Sequence, residues 1–236
     1  MTKLIPALSV FFPAVNEEKN ILQTVIKARE VLVKIADKWE IIIINDGSSD
    51  QTQIIADKLA GDDDRIKVIN HSQNKGYGAA FKSGVYAAQF AWIAFTDSDG
   101  QFDFSEITTL IQRQNQTKAD VIVGYYLSRK VSFSRKINTF FWQLVVNLLF
   151  DLHLRDIDCG FKLFRKKVIE TIPQLESERG AFISSEFLIK AQNQGFQIVE
   201  IGVHHFPRKE GVATGAKLNV IVKSFIDLFR LWKKLR

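Results

Sequence analysis

Four isoleucines in a row, Ile41 to Ile44, leave a strand with no polar face, because successive side chains of a strand point to opposite sides of its sheet. Such a segment is stable only where helices cover both faces of the sheet, and it is expected in mid-sheet. Apolar, β-branched runs of strand length recur at residues 7–12, 40–44, 66–69, 92–95 and 120–123, with helix-like stretches between the first four and after the fourth. The pattern predicts an α/β chain with a mostly parallel central sheet and helices on both faces. Asn16 is expected to cap a helix beginning Glu17-Glu18, and Asp50 one running through Ile54, Ile55 and Leu59. In open α/β sheets ligands gather outside the carboxyl ends of the strands, so polar residues there are the first candidates for a site.

A chain of 236 residues that is 46% hydrophobic can bury one substantial core. Its net charge of +6 comes from 32 basic and 26 acidic residues, a mild excess that does not call for nucleic acid. Most of that excess sits in the tail, where Lys217, Lys223, Arg230, Lys233, Lys234 and Arg236 face Asp227 alone. The single cysteine, Cys159, excludes an internal disulfide, fits a reducing compartment and is expected to be a small half-buried residue. The first residues lack the basic-then-apolar order of an export signal, so no export is expected. The longest apolar stretch, residues 140–150, is broken by Gln143 and Asn147. It falls short of the about 20 residues that span a bilayer.

Three polar clusters follow strands. The carboxylate of Asn45-Asp46-Gly47-Ser48-Ser49-Asp50 can accept hydrogen bonds from a base or ribose edge, while Gly47 permits a sharp turn. A turn plus N-cap would use the same residues equally well. In Asp97-Ser98-Asp99, alternate carboxylates can converge on one hard cation such as Mg²⁺ or Mn²⁺, which in turn binds a diphosphate; the Gln101 amide oxygen could join them. The alternative is a solvated loop, with Ser105 as a further cap. Asn74-Lys75-Gly76-Tyr77-Gly78-Ala79-Ala80 lets a backbone pass close to a ligand. Phe81 stands where a dinucleotide-binding pattern wants a third glycine, so a nicotinamide site is disfavoured. Close helix–sheet packing is the other reading of Ala79 and Ala80.

Taken in order, Pro13-Ala14-Val15-Asn16-Glu17-Glu18, Asn45-Asp46-Gly47-Ser48, Asn74 to Ala80 and Asp97-Ser98-Asp99-Gly100-Gln101 resemble the motif set of the inverting family 2 glycosyltransferases with the GT-A fold. Asp158-Cys159-Gly160-Phe161-Lys162-Leu163-Phe164-Arg165 is similar to a stretch of the dolichyl- and undecaprenyl-phosphate mannosyl- or glucosyltransferases. The resemblance covers nearly the whole chain. It implies a single GT-A-like domain over residues 1–236, with a nucleotide-sugar-binding half (1–124), an acceptor-side half (125–216) and a basic amphipathic C-terminal helix (217–236). It further implies that Pro13, Asn16, Glu17 and Asp46 hold the nucleoside of a UDP- or GDP-hexose, with Lys75, Gly76 and Asp97 beside it. Asp97, Asp99 and Gln101 would hold Mg²⁺ or Mn²⁺. Val15, where the family often has Tyr, and Asn45, where it often has Asp, are departures.

For an acceptor, the resemblance points to a polyprenyl phosphate, with Arg129 and Arg135, beside Lys136, placed to pair with its phosphate. An ordinary basic surface loop is the alternative. The later His205-Phe206-Pro207-Arg208-Lys209-Glu210-Gly211 resembles a segment that closes near the diphosphate, with Arg208 as phosphate ligand. His204 and His205 are neighbours, so on a strand only one can point into a site. A phosphate acceptor needs no strong base; a hydroxyl acceptor would need Asp158 or Asp156. The apolar positions of the tail, spaced by three and four, make an amphipathic basic helix that could lie on a membrane, pack on the sheet or meet a partner. The expected setting is cytoplasmic, peripheral on the inner face of a membrane. The competing readings are transfer to a soluble sugar or protein hydroxyl, a non-catalytic membrane-associated nucleotide-sugar-binding module, and nucleotidyl transfer.

Overall fold

The computed structural model describes residues 3–128, 133–178, 180, 182–208 and 218–235, without the side chains of 133–138 and 218–223. Parallel strands β1 (Ile5–Ala14), β2 (Ala36–Asn45), β3 (Ile66–Asn70) and β4 (Trp92–Phe95) alternate with helices α1 (Ile21–Ile35), α2 (Thr52–Asp62) and α3 (Tyr77–Ala87). A 3₁₀ turn (Phe104–Glu106) and α4 (Ile107–Thr117) lead to β5 (Val121–Tyr126) and the long α5 (Phe133–Phe150). Then follow β6 (Lys162–Arg165), α6 (Lys166–Thr171), α7 (Phe182–Asn193), β7 (Ile198–Val203) and α8 (Leu218–Leu235). The seven strands form one sheet in the order β3-β2-β1-β4-β6-β5-β7. Only β6 is antiparallel to its neighbours β4 and β5.

The isoleucine run divides as its pleat requires. Ile41 and Ile43 join the core under α1, α2 and α4, and Ile42 and Ile44 join the core under α3 and α7. All four are fully buried. The mid-sheet expectation is corrected, because β2 lies next to the edge strand β3 while β4 takes the centre. Apolarity on both faces reports cover from above and below and carries no information about lateral position.

Local expectations change as well. Asn16 does not cap a helix: it adopts φ 56°, and α1 starts later, after Asn20. Ser105 lies inside the 3₁₀ turn, whose cap is Asp103, accepting the Ser105 N–H at 2.9 Å. Cys159 is fully buried rather than half-buried, and burial pushes its thiol up to about 12. The N-cap of α2 is Gln51 rather than the expected Asp50, which stands one residue earlier and accepts the Thr52 N–H at 2.9 Å. Gly84 lets α3 settle on β1, since a Cβ there would stand 2.2 Å from the Phe11 ring.

Glu40 ties four pieces of backbone together. Its buried carboxylate accepts from Ser9 Oγ at 2.6 Å, Lys67 Nζ at 2.7 Å and the Gln89 N–H at 2.7 Å. Burial pushes its pKa up, but the bonds from Lys67, Ser9 and Gln89 outweigh that and hold it below the ordinary 4.5. A carboxyl with a depressed folded-state pKa stabilises above its unfolded value and loses that contribution as pH falls through the folded one. Glu40→Ala is therefore expected to cost about 2–3 kcal/mol in urea unfolding at neutral pH, by leaving buried donors unpaired. The gap from the parent should narrow below the ordinary 4.5; a gap independent of pH would mean that packing alone is lost.

Candidate active site

The carboxyl ends of β1, β2, β4 and β7 meet at one edge of the sheet, and each delivers polar side chains there. After β1 and β2, two loops zip together. The Asn16 N–H donates to Ser48 Oγ at 3.0 Å, Asn16 Oδ1 accepts the Ser49 N–H at 2.8 Å, and the Glu17 N–H donates to Thr52 Oγ1 at 2.8 Å. The left-handed backbone at Asn16, which Asn tolerates, turns the chain so that the buried Glu17 side chain faces the site. Pro13, at the end of β1, accepts Ser98 Oγ–H on its carbonyl at 2.6 Å and so fixes the loop that follows β4.

Asp46 is engaged from all sides. One oxygen stands 2.6 Å from His71 Nδ1 and accepts the Lys75 N–H at 2.9 Å; the other accepts the Gly76 N–H at 2.9 Å. His71 is fixed in turn by Ser83 Oγ at 2.9 Å. The N–H groups of Lys75 and Gly76 are thus directed at Asp46, and the Lys75 side chain is exposed. Gly47 is required twice over: its φ is 66°, and a Cβ would lie 2.4 Å from the Asn74 nitrogen. The sharp turn read from the sequence is present, and the carboxylate beside it organises the Asn74 to Gly76 loop.

Asp97 and Asp99 follow β4. Asp97 Oδ1 accepts the Tyr77 hydroxyl at 2.9 Å, and its Oδ2 fills the space beside Gly160, where an added Cβ would be 2.2 Å away. Burial, and then the charge of Asp99, push the Asp97 carboxyl up to about 7. Asp99 accepts the Gln101 N–H at 3.0 Å and the Arg208 guanidinium at 2.6 Å. The second arm of Arg208 reaches Glu17 at 3.3 Å. Burial raises the Glu17 pKa against the pull of Asn20 and Arg208. Arg208 arrives through Gln101, whose side-chain amide donates to the Phe206 carbonyl at 2.9 Å and whose carbonyl accepts the Phe206 N–H at 2.8 Å. A guanidinium therefore bridges Glu17 and Asp99.

The donor set fits a hard divalent cation, because it is oxygen-only and holds two carboxylates close enough for the charge of Asp99 to raise the Asp97 carboxyl. Among the described residues no group of three His, Cys, Asp or Glu side chains is close enough to hold a metal alone. A cation at Asp97 and Asp99 would have to complete its shell with the Gln101 amide, phosphate oxygens or water. Gly160→Ala is expected to weaken Mn²⁺ binding about 10- to 100-fold, because the new methyl would stand 2.2 Å from Asp97 Oδ2 and displace that carboxylate. Titration of Mn²⁺ by electron paramagnetic resonance checks it; wild-type affinity would remove Asp97 from the metal's shell.

Some expected residues stand elsewhere. Asp158 is half-buried in the loop before β6, within electrostatic reach of Lys162. β7 ends at Val203, so the strand alternation expected of His204 and His205 does not apply. His204 binds Glu106 through its N–H at 2.9 Å and Nδ1 at 2.8 Å, and His205 packs edge-on against Tyr126 and Phe102. Arg129, Lys209, Glu210, Gly211 and Lys217 lie outside the described residues, as do the side chains of Arg135 and Lys136 in the first turn of α5.

Three participants were not singled out from sequence: Tyr77, His71 and Lys162. The ammonium of Lys162 is fully buried, donating to the Cys159 carbonyl and to Ser184 Oγ at 3.3 Å, with the Phe95 ring 5.8 Å away. Burial lowers its pKa, opposed by Cys159, Asp158, Asp156 and Asp97. One signal was available: a lone charge inside the apolar Phe161-Lys162-Leu163-Phe164.

Comparison with known proteins bears on the family and the fold. The chain is 31% identical over 207 residues to glycosyltransferase AglD of Haloferax volcanii, covering 85% of this chain and 33% of that protein. It is 28% identical to dodecaprenyl-phosphate galacturonate synthase of Rhizobium johnstonii, covering 87% and 61%, and 30% identical to human dolichyl-phosphate beta-glucosyltransferase, covering 84% and 66%. It thus spans about a third to two thirds of these relatives' lengths. Among solved structures, glucosyl-3-phosphoglycerate synthase from Mycobacterium tuberculosis, crystallised with Mn²⁺, UDP and glucosyl-3-phosphoglycerate, superposes with TM-score 0.73 at 18% identity, over 96% of this chain and 80% of that one. The expected GT-A fold is the one observed. The model of glycosyl transferase family 2 matches residues 9–172. Because that match runs from the first parallel strand to the end of α6, over more than half of the chain, this protein belongs to glycosyl transferase family 2.

Proposed function

We propose that this chain transfers a hexose, with inversion, from a nucleotide-diphosphate sugar to a polyprenyl phosphate, using Mg²⁺ or Mn²⁺. The observation that carries the reading is the Glu17–Arg208–Asp99 bridge beside Asp97: a guanidinium and paired carboxylates at the ligand-binding edge of the sheet, suited to a metal-bound diphosphate. The names of the relatives supply the acceptor class.

Pro13, Asn16, Glu17 and Asp46 would hold the nucleoside, Asp46 in part by shaping the Lys75-Gly76 backbone. When a diphosphate enters, Arg208 can exchange carboxylates for phosphate oxygens, with which its planar fork pairs in bidentate fashion. The cation, held by Asp97, Asp99 and Gln101, would neutralise charge on the departing diphosphate. An anionic oxygen of the lipid phosphate attacks the sugar's anomeric carbon from the far side as the bond to the diphosphate breaks and its electron pair leaves with that group. No proton moves, so catalysis rests on position and charge stabilisation. Arg129 and Arg135 would pair with the acceptor phosphate. Such an acceptor places the protein at a membrane surface; no helix among the described residues is long and apolar enough to cross one.

A second reading keeps the donor and changes the acceptor to a soluble hydroxyl. It is favoured by the position of Asp158, half-buried in the loop whose Gly160 touches Asp97, where a general base could stand. Radiolabelled UDP-glucose, GDP-mannose and other donors, with Mn²⁺ or Mg²⁺ and undecaprenyl phosphate in detergent, test both. Label that enters the organic phase and vanishes with chelator supports lipid-phosphate transfer. Metal-dependent donor hydrolysis without lipid product would move the acceptor to a hydroxyl.

A further inference from the structure

α5 follows β5, whose carboxyl end lies on the same side of the sheet as that of β4. Its inner face is ordinary core: Trp142 and Val146 are buried, and the Trp142 ring stands edge-on to Phe182 at 6.1 Å and to Phe225 of α8 at 5.1 Å. Its outer face is as apolar as its inner one. Phe140 is 61% exposed, Phe141 54%, Leu144 50% and Leu148 82%. At 3.6 residues per turn these positions fall in one stripe about 100° wide. The Phe140 and Phe141 rings, 5.8 Å apart, contact each other. Scattered apolar residues on a surface need no explanation, whereas a continuous stripe of aromatic and leucine side chains marks a contact surface.

Charge decides what covers it. From Leu127 to Phe150 the sequence contains Arg129, Lys130, Arg135 and Lys136 and no acidic residue. α8 adds exposed Ile226 and Phe229 beside Lys233 and Arg230, the latter paired with Asp227 at 3.4 Å, while Leu228 and Leu231 turn inward. A second copy docked through the same face about a two-fold axis would set basic segment against basic segment, since Asp227 is already paired with Arg230 and Asp151, at the end of α5, is the other acidic group nearby. An anionic bilayer offers both complements, headgroup charge for the basic residues and acyl chains for the stripe, with aromatic rings at the boundary. We propose that the outer face of α5, flanked by that of α8, seats on an anionic lipid surface with Phe140, Phe141, Leu144 and Leu148 below the headgroups. This deepens the lipid-acceptor reading and rests on it, since it sets the open edge of the sheet at the surface where such an acceptor lies. Membrane contact was one of three roles open to the tail from sequence; part of the α8 apolar face is spent on the core, with Leu228 and Leu231 buried, so the proposal gives the apolar share of that contact to α5.

The test is flotation of the full chain with phosphatidylcholine vesicles, with and without phosphatidylglycerol, in the absence of donor. Binding is expected only with phosphatidylglycerol, weakening with salt. The double substitution Phe141→Ser with Leu148→Ser, at exposed positions, should lower it at least about tenfold. Hydrogen–deuterium exchange on the unsubstituted protein needs no variant and should show α5 amides slowed by vesicles. Equal binding by the double variant, slowing confined to α8, or a dimer without vesicles that the substitutions dissociate would each overturn the proposal. Transfer to undecaprenyl phosphate in detergent is read separately. Its absence in the parent overturns the acceptor reading while leaving vesicle binding to stand or fall on its own.

Discussion

Asp99→Asn is expected to abolish metal-dependent donor binding, by more than about 100-fold in calorimetric titration of UDP with Mn²⁺, while the protein stays folded. Asn keeps the shape and one oxygen acceptor but removes the charge that a hard cation requires. The same change removes the charged partner of Arg208, whose bond at 2.6 Å is the shorter arm of its bridge. Arg208 is about a quarter exposed, so loss of that ion pair should alter stability by no more than about 1 kcal/mol. Asp97 should ionise more readily in the variant, because the Asp99 charge is one of the two causes that raise its carboxyl. Metal-independent binding of UDP should survive, since Asn16, Glu17 and Asp46 are untouched. Unchanged Mn²⁺-dependent affinity would sink the metal assignment and leave Asp99 as the anchor of Arg208 only.

Lys162→Met should unfold about 3–5 kcal/mol more easily in urea, the range for removing one member of a buried charge group. Methionine fills most of the volume, so a cavity is not the cause. What is lost is a buried positive charge within reach of Asp97, Asp156 and Asp158, together with the donor to the Cys159 carbonyl and Ser184. An electrostatic origin makes a further demand: adding Asp158→Asn to Lys162→Met should recover part of the loss, whereas two independent defects would add. Simple addition would show that Lys162 acts by packing and backbone bonds alone.

These sites divide by how far their signals travel along the chain. The strands at β1 to β5, the turn at Gly47, the Asp50 bond at the start of α2 and the Asp97–Asp99 pair were legible because each depends on neighbours within a few residues: pleat alternation, a positive φ, a side chain bonding two residues on. The motif order was enough to place the chain in its family. Asn16 was misread for a related reason. It has the chemistry of a cap, but its side chain is used by Ser49 on the adjoining loop, a partner that no local pattern contains.

Other assignments needed the sheet order. The position of β2 beside the edge followed from β1 pairing with β4 on its other side. Tyr77 is 20 residues from Asp97 and reaches it because α3 begins above the end of β4. In the same way His71 became the partner of Asp46 only when β3 and β2 were paired.

By itself the sequence determined an α/β chain of family 2, its strand positions and the residue types at the strand ends, since periodicity and turn chemistry are written in adjacent residues. Tertiary structure alone decided that Arg208 bridges Asp99, 109 residues away, and Glu17, 191 residues away. It alone showed that Lys162 is buried within reach of three carboxylates and that α5 keeps an apolar face outward. Each of those depends on which strands become neighbours and on which face of a helix the core consumes, quantities set by the packing of the whole chain rather than by any one segment of it.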